Sequence, residues 1–206
     1  MATRQHGNPG RARILEAAIE LVAEGGYSRA TINEVCRLAD VRPPAVYYHY
    51  GNKDGLVAAV VETVAAAWLD ELESAAREGS TFEERLNAGL RGWRALILET
   101  RSPIQLLIRV QLECGSDAPA IPAALIAVMA RARAIIAGAI EDVAGPISDA
   151  DELAQTIVSL LQGAALRHHL EDDIDGLDRR LSEIGNTITA LVAVRSRSQR
   201  NAAEAG

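Results

Sequence analysis

Aromatic residues are scarce. The 206-residue chain holds two tryptophans, four tyrosines and one phenylalanine, 3% of its length. Alanine, leucine, isoleucine and valine supply most of the 49% hydrophobic content, a mixture that favours helices and disfavours a large β-sandwich. Cysteine is almost absent. Cys36 and Cys114 stand far apart with no metal-type spacing, so reduced thiols are expected rather than a disulfide framework. No unbroken apolar run approaches the roughly 18 residues that span a bilayer, and the first ten residues hold no apolar stretch. Neither a membrane span nor a secretory signal is therefore expected. What is present is an ordinary globular balance with 24% charged residues, long enough to bury a core in one domain or two.

Lysine is rarer still, Lys53 being the single one. Net charge is −7 overall, but residues 1–55 carry +1 and residues 56–206 carry −8. A near-neutral head on an acidic body permits a local anion-binding surface without requiring one.

Helix punctuation runs along the whole chain. Asn8-Pro9 reads as N-cap and first residue of a helix whose Ile14, Leu15, Ala18, Leu21 and Val22 share a face and which Gly25-Gly26 stops. Thr31 and Glu34 form a capping-box pattern that opens a second, short helix. Asp40-Val41-Arg42 is a tight turn, and Pro43-Pro44 pre-set a third helix ending near Gly51. Asn52 caps a long fourth helix, Thr81 a fifth, and Ser102-Pro103 start a sixth with Ile104, Leu107, Ile108 and Leu112 inward. Residues 115–122 read as a loop, followed by a seventh helix stopped by Gly145-Pro146. Ser148 is expected to cap an eighth helix over about 149–171, Asp175 a ninth over about 176–197, with a loose tail beyond. No segment asks for a strand. The expected fold is all-α: an N-terminal helix-turn-helix domain over 1–52, then a larger helical domain over 53–206.

Residues 31–50 carry the most chemistry. Two short helices joined by a three-residue turn have helix-turn-helix dimensions, although two merely packed helices would look alike. Tyr47, Tyr48 and Tyr50 crowd beside His49. Val46 and Tyr50 fall on one face and can dock inward, which leaves Arg42, Pro43, Tyr47, Tyr48 and His49 over the remaining arc. Hydroxyl, imidazole and guanidinium groups on an exposed helix suit phosphates and base edges. Thr31 and Lys53 each begin a helix, where backbone N–H groups attract a phosphate.

The stretch from Arg13 to Leu56, above all V-Y-Y-H-Y-G-N-K-D-G-L, resembles the N-terminal domain of TetR-family transcriptional regulators over about residues 11–60. The resemblance implies that Tyr47 and Lys53 clamp phosphates, that Thr31 contacts a phosphate, and that Arg42 to His49 form the recognition helix. Asp40 stands where the family usually has a turn glycine, and Arg42-Pro43-Pro44 where it has a Ser/Thr-rich opening. The resemblance further implies a cytoplasmic homodimer that binds a palindromic double-stranded operator, a repressor released by a small-molecule effector. The alternative is a helical carrier of the same fold that does not bind DNA.

The body offers support of its own. Leu177, Leu181, Ile184, Ile188 and Leu191 are spaced 4, 3, 4, 3, while Leu153, Ile157, Leu160 and Ala164 repeat 4, 3, 4. Such seams suit a four-helix dimer interface, or an internal hairpin. An apolar effector pocket is expected among Trp68, Trp93, Ile97, Leu107, Met129 and Leu161, with Arg109, Gln111, Arg133, Gln162 and His168 as polar candidates. His168-His169 lacks ligand spacing, and no phosphate-binding loop, dinucleotide motif or nucleophile elbow occurs, so neither metal, cofactor nor enzyme activity is expected.

Overall fold

The computed structural model describes residues 9–99, 102–114, 119–145 and 149–204. Among them are nine helices and no strand: α1 (Pro9–Arg29), α2 (Ile32–Ala39), α3 (Pro43–Tyr50), α4 (Lys53–Ala75), α5 (Phe82–Leu98), α6 (Pro103–Glu113), α7 (Ala120–Ala144), α8 (Ala150–Glu171) and α9 (Ile174–Glu204). The all-α expectation holds. Two compact units emerge, Met1–Ala66 with Leu106–Ala127, and Ala67–Gln105 with Val128–Gly206. The expected boundary at 52/53 is thus not where the units divide. α4, α6 and α7 each give residues to both.

In the first unit, α1 buries Ile14, Ala17, Ala18, Leu21 and Val22, then breaks. Gly25 and Gly26 leave helical geometry, Gly26 at φ +69° and ψ −163°, which only glycine adopts readily. The last turn resumes to Arg29. Two side chains from α6 hold the break: the Arg109 guanidinium donates to the carbonyls of Ala23 and Glu24 (both 3.3 Å), and Ser28 N–H donates to the Glu113 carboxylate at 3.3 Å. Orphan carbonyls at a helix end are thereby satisfied by a cation, as both capping and the helix dipole favour.

α2 starts at Thr31, whose hydroxyl accepts from Glu34 N–H at 3.2 Å. The reciprocal half of the box is not made, because the Glu34 carboxylate pairs with Arg37 and Thr31 N–H donates to the Arg29 carbonyl. Asp40 closes α2 in the left-handed region at φ 50°, a conformation that Asp tolerates. α3 has Pro43-Pro44 in its first turn, where missing N–H groups cost nothing, and ends at Gly51 with φ 76°. Asn52 caps α4 through Gly55 N–H at 2.8 Å.

In the second unit, Thr81 and Glu84 complete a full capping box on α5. Ser102 Oγ donates to the Leu96 carbonyl at 2.6 Å and accepts from Gln105 N–H. α8 and α9 form a hairpin with Ile157, Ala164, Ile184 and Ile188 at its centre, against which Leu160 and Leu191 pack.

Several expectations need correction. Leu112 is 65% exposed rather than inward. α7 begins at Ala120, so Pro122 lies in the helix's first turn, where its absent N–H is tolerated, and residues 115–118 of the expected loop lie outside the described residues. Asp173, not Asp175, caps α9, accepting from Gly176 N–H at 2.9 Å. Asp149 occupies the N-cap position of α8; Asn8, Pro146 and Ser148 lie outside the described residues. In place of a loose tail beyond 197, α9 continues to Glu204, the last described residue. Finally, Ala120–Val143 is long and apolar enough to cross a membrane by length and composition alone, contrary to the expectation of no such run. Two arginines interrupt it, and both are paired, Arg131 with Asp70 at 3.7 Å and Arg133 with Asp151 at 2.9 Å. Its Val128, Ala132 and Ile140 are buried within the protein, while 28% of the apolar window as a whole is buried.

A test of the α1 break follows from its geometry. Gly26→Ala forces a side chain into a strained φ, and its Cβ would collide with the Glu113 carboxylate. The variant should lose about 1–3 kcal/mol in urea denaturation, whereas Gly51→Ala, with open space around its Cβ, should lose only the strain component.

Candidate nucleic-acid interface and ligand cavity

On α3 the inward and outward faces separate cleanly. Val46 is fully buried, and Tyr50 docks by donating its hydroxyl to the Arg11 carbonyl at 3.0 Å with the Arg11 guanidinium 5.8 Å from its ring centre. Arg42, Pro43, Tyr47 and Tyr48 are exposed, Tyr48 by 84% and Tyr47 by 52%. His49 is half-buried, its ring edge-on to Tyr48 at 5.0 Å. Thr31 is exposed at the N-terminus of α2 and, having accepted one bond, keeps its hydroxyl proton to donate.

Lys53 is held rather than free. Its ammonium lies 3.8 Å from the centre of the Tyr27 ring, and partial burial lowers its pKa, against which Asp54, Cys114 and Glu113 act. Tyr27 in turn donates its hydroxyl to Asp54 at 2.6 Å. That bond, with burial and the Asp54 charge, pushes Tyr27 up to about 12. Sequence reasoning passed over Tyr27; its one available signal was an aromatic just past a Gly-Gly break. Burial raises the thiols of Cys36 and Cys114, so neither is a reactive thiolate.

In the second unit lies a cavity of about 110 Å³, walled mainly by α4, α5, α7 and α8. Trp68, Trp93, Met129, Leu161 and Gln162 of the expected pocket residues line it. Ile97, Leu107, Arg109, Gln111, Arg133 and His168 do not. Ile97 and Leu107 are buried elsewhere, Gln111 is exposed, Arg109 caps α1, and Arg133 pairs with Asp151. His168 is buried beside the α8–α9 turn, its Nδ1 3.4 Å from the Asp173 carbonyl. The wall also holds Leu72, Phe82, Leu86, Leu90, Ile136 and Val158, together with Gly89 and Gly92. Those two glycines sit inside α5, and a Cβ on either would meet open space. Glycine in a helix interior was the sequence signal for this wall. Among the described residues no group of His, Cys, Asp and Glu could hold a metal ion.

The seams on α8 and α9 face inward. Leu153, Leu177 and Ile188 are fully buried within the single chain, and Ile157, Ala164, Leu181 and Ile184 nearly so, while Leu160 and Leu191 are half-buried. The internal hairpin therefore buries most of the side chains expected at a dimer interface and leaves Leu160 and Leu191 half-buried. The outward faces carry Ser159 and Gly163 on α8 and Ser182, Asn186, Ala190 and Ala193 on α9.

An exposed recognition-type helix after a capped short helix and a tight turn defines a helix-turn-helix protein. Residues 14–60 match the model of the bacterial regulatory proteins of the tetR family. Among curated relatives, the fatty acid metabolism regulator protein of Bacillus subtilis is 24% identical over 36% of this chain and 38% of its own. The regulator BetI of Rhizobium meliloti is 26% identical over 39% and 40%, and TtgR of Pseudomonas putida 34% over 30% of each. The match thus spans about two fifths or less of these relatives' length, and each is named as a regulator. Solved structures share the fold over nearly the whole chain. Reduced NemR of E. coli superimposes with a TM-score of 0.74 at 18% identity, covering 87% of this chain and 97% of that one. A complex of SmeT with triclosan gives 0.70 at 20% identity, covering 89% and 91%.

The cavity glycines give a direct check. Gly89→Ala or Gly92→Ala should raise stability by about 0.5–1 kcal/mol in thermal denaturation, because the helix gains propensity and the new methyl finds room. A loss of stability would mean that α5 is packed against something at these positions.

Proposed function

We propose that the chain is a ligand-responsive transcriptional regulator that binds a palindromic operator as a homodimer, acts as a repressor in the cytoplasm, and is released by a mostly apolar small molecule. The carrying observation is the face of α3 with Arg42, Tyr47, Tyr48 and His49, flanked by Thr31 at the start of α2 and Lys53 at the start of α4. In this reading Thr31, Tyr47 and Lys53 hold phosphates, which fixes register, while Arg42, Tyr48 and His49 read base edges and Pro43 stiffens the helix start. In this reading the Lys53 ammonium, 3.8 Å from the Tyr27 ring centre, exchanges that contact for a phosphate.

Replacing Lys53 by Met or Tyr47 by Phe should weaken binding to every DNA sequence, with the salt slope falling by about one for the lysine. Arg42→Ala should instead change sequence preference. Filter or fluorescence titration at several salt concentrations distinguishes these. Unchanged affinity in a Tyr47→Phe, Lys53→Met double variant would overturn the assignment of these two phosphate contacts, whereas no DNA binding by the unmodified chain would leave the carrier reading in its place.

Dimerisation through the outward faces of α8 and α9 brings two recognition helices to one palindrome. Small residues there let helices approach closely. Gly163 has open space around its Cβ, so Gly163→Arg should fold normally yet sediment as a monomer and lose tight operator binding. Ile184→Asp, by contrast, should unfold the chain, since its side chain is already core.

The effector reading rests on the cavity and on helices shared between both units. α4 begins at Lys53 and its later turns, with Trp68 and Leu72, line the cavity. Triclosan in SmeT offers a parallel for a hydrophobic guest in this fold. A ligand shifts operator binding only as far as its affinities for the two states differ; a tenfold difference per site corresponds to about 1.4 kcal/mol. Gly92→Leu should block the response while leaving DNA affinity and dimerisation unchanged.

A further inference from the structure

The positive charge of the head is unevenly spread. Residues 1–13 hold Arg4, Arg11 and Arg13 and no acidic residue, a net +3. Residues 14–55 hold four basic residues against six acidic ones, a net −2. The rest of the head, with α2, α3 and the start of α4, is thus acidic, and the remainder of the chain carries −8. A duplex bears one negative charge per about 1.7 Å of its axis, so a chain charged in this way is attracted only where its cations gather.

Pairing follows the same division. Every described arginine side chain of the second unit except Arg197 pairs with a carboxylate. In the first unit Arg11, Arg13, Arg29 and Arg42 are exposed and have no carboxylate partner among the described residues. A guanidinium without a carboxylate exchanges only water for a phosphate, whereas a paired one must first give up its partner. Arg11 also has a defined seat. Its guanidinium lies 5.8 Å from the Tyr50 ring centre, and its carbonyl accepts the Tyr50 hydroxyl at 3.0 Å. The first turn of α1 therefore rests against the last turn of α3, where Tyr47 is the neighbour of Tyr50 one turn back. Arg13 follows two residues after Arg11, and Arg4 precedes Pro9 by a contour of at most about 18 Å.

We propose that Arg4, Arg11 and Arg13 form a second phosphate-holding element, which grips the DNA backbone beside the groove that α3 enters. This rests on the DNA-binding reading above and adds a contact outside the helix-turn-helix. Guanidinium groups take phosphate oxygens in bidentate, charge-assisted bonds. Contacts of this kind supply affinity and leave sequence preference to α3.

A mixed-sequence duplex of about 30 base pairs is a sufficient probe, because phosphate contacts do not depend on sequence. Its affinity for the full chain is titrated by fluorescence from about 50 to 200 mM NaCl. Each phosphate contact removed lowers the salt slope by about 0.9, so Arg4→Gln, Arg11→Gln, Arg13→Gln should lose about 2.7 per bound chain. Arg4→Gln with Arg13→Gln, which spares the Tyr50 contact, should lose about 1.8. A control variant, Arg77→Gln, Arg91→Gln, Arg167→Gln, removes as much charge from exposed ion pairs that add little to stability. Its slope should match that of the unmodified chain. An unchanged slope in the first two variants, or an equal loss in the control, overturns the second element while α3 stands as the DNA-binding surface. If the unmodified chain shows no salt-dependent binding to the duplex, the DNA reading falls and this element with it.

Discussion

The head of the molecule depends on the break in α1 at Gly25-Gly26. An unbroken helix would carry Tyr27 and Ser28 onward along the α1 axis. With Gly26 in a positive-φ conformation the chain turns instead, Tyr27 meets Asp54 and Lys53 of α4, and Thr31 becomes free to open α2. Breaking a helix exposes carbonyls that water or a side chain must satisfy. Here Arg109 supplies that from α6, and Glu113 answers the Ser28 N–H. The break, its cap and the lysine's seat are one connected construction. Conformational freedom at Gly26, charge from α6, and aromatic surface at Tyr27 each do what the others cannot.

The cavity follows a different logic. Helix α5 accepts two interior glycines that offer no helix-propensity benefit, and α7 and α8 contribute Met129 and Gln162 in place of well-packed aliphatics. Natural cores are close-packed, and a void lined by Leu and Ile forfeits dispersion contacts. A wall that combines missing side chains with the buried, unmet indole N–H of Trp93 departs from good packing in two independent ways at one place. Local departures of that kind tend to mark function, since stability alone would remove them.

How much of this was legible beforehand varied with the range of the interaction. Capping at Thr31, Asn52, Thr81 and Ser102, the turn at Asp40, and the Gly-Gly break are decided within four or five residues, and the sequence pattern located each. Tyr47 and Tyr48 stood out because three tyrosines in four positions exceed what an eight-residue helix can bury. Long-range partners left no such trace. Arg109 sits among apolar neighbours exactly as a pocket residue would, and only the distant α1 carbonyls explain it. Tyr27 was silent for the same reason, its partners lying some 26 residues further on. At the α8–α9 turn, Asp172, Asp173 and Asp175 all suit a cap; the left-handed Asp172 decided for Asp173.

The seam on α9 shows where periodicity alone stops. Apolar residues spaced 4, 3, 4, 3 state that one stripe of the helix is buried, and say nothing of whether the burying surface belongs to the same chain. A hairpin of α8 and α9 consumes that stripe internally, with Leu177 and Ile188 fully covered. In the dimer proposed above, a second copy meets the outward faces, where small and polar residues such as Ser159, Gly163, Asn186 and Ala190 are exposed, as are Leu170 and Val194. Close approach of helix backbones at glycine, serine and alanine does not need large side chains, since dispersion contacts between the helices themselves grow as the axes near. A sequence pattern tuned to find leucines overlooks such a surface, while exposure at Gly163 and Ala190 on the folded hairpin brings it into view.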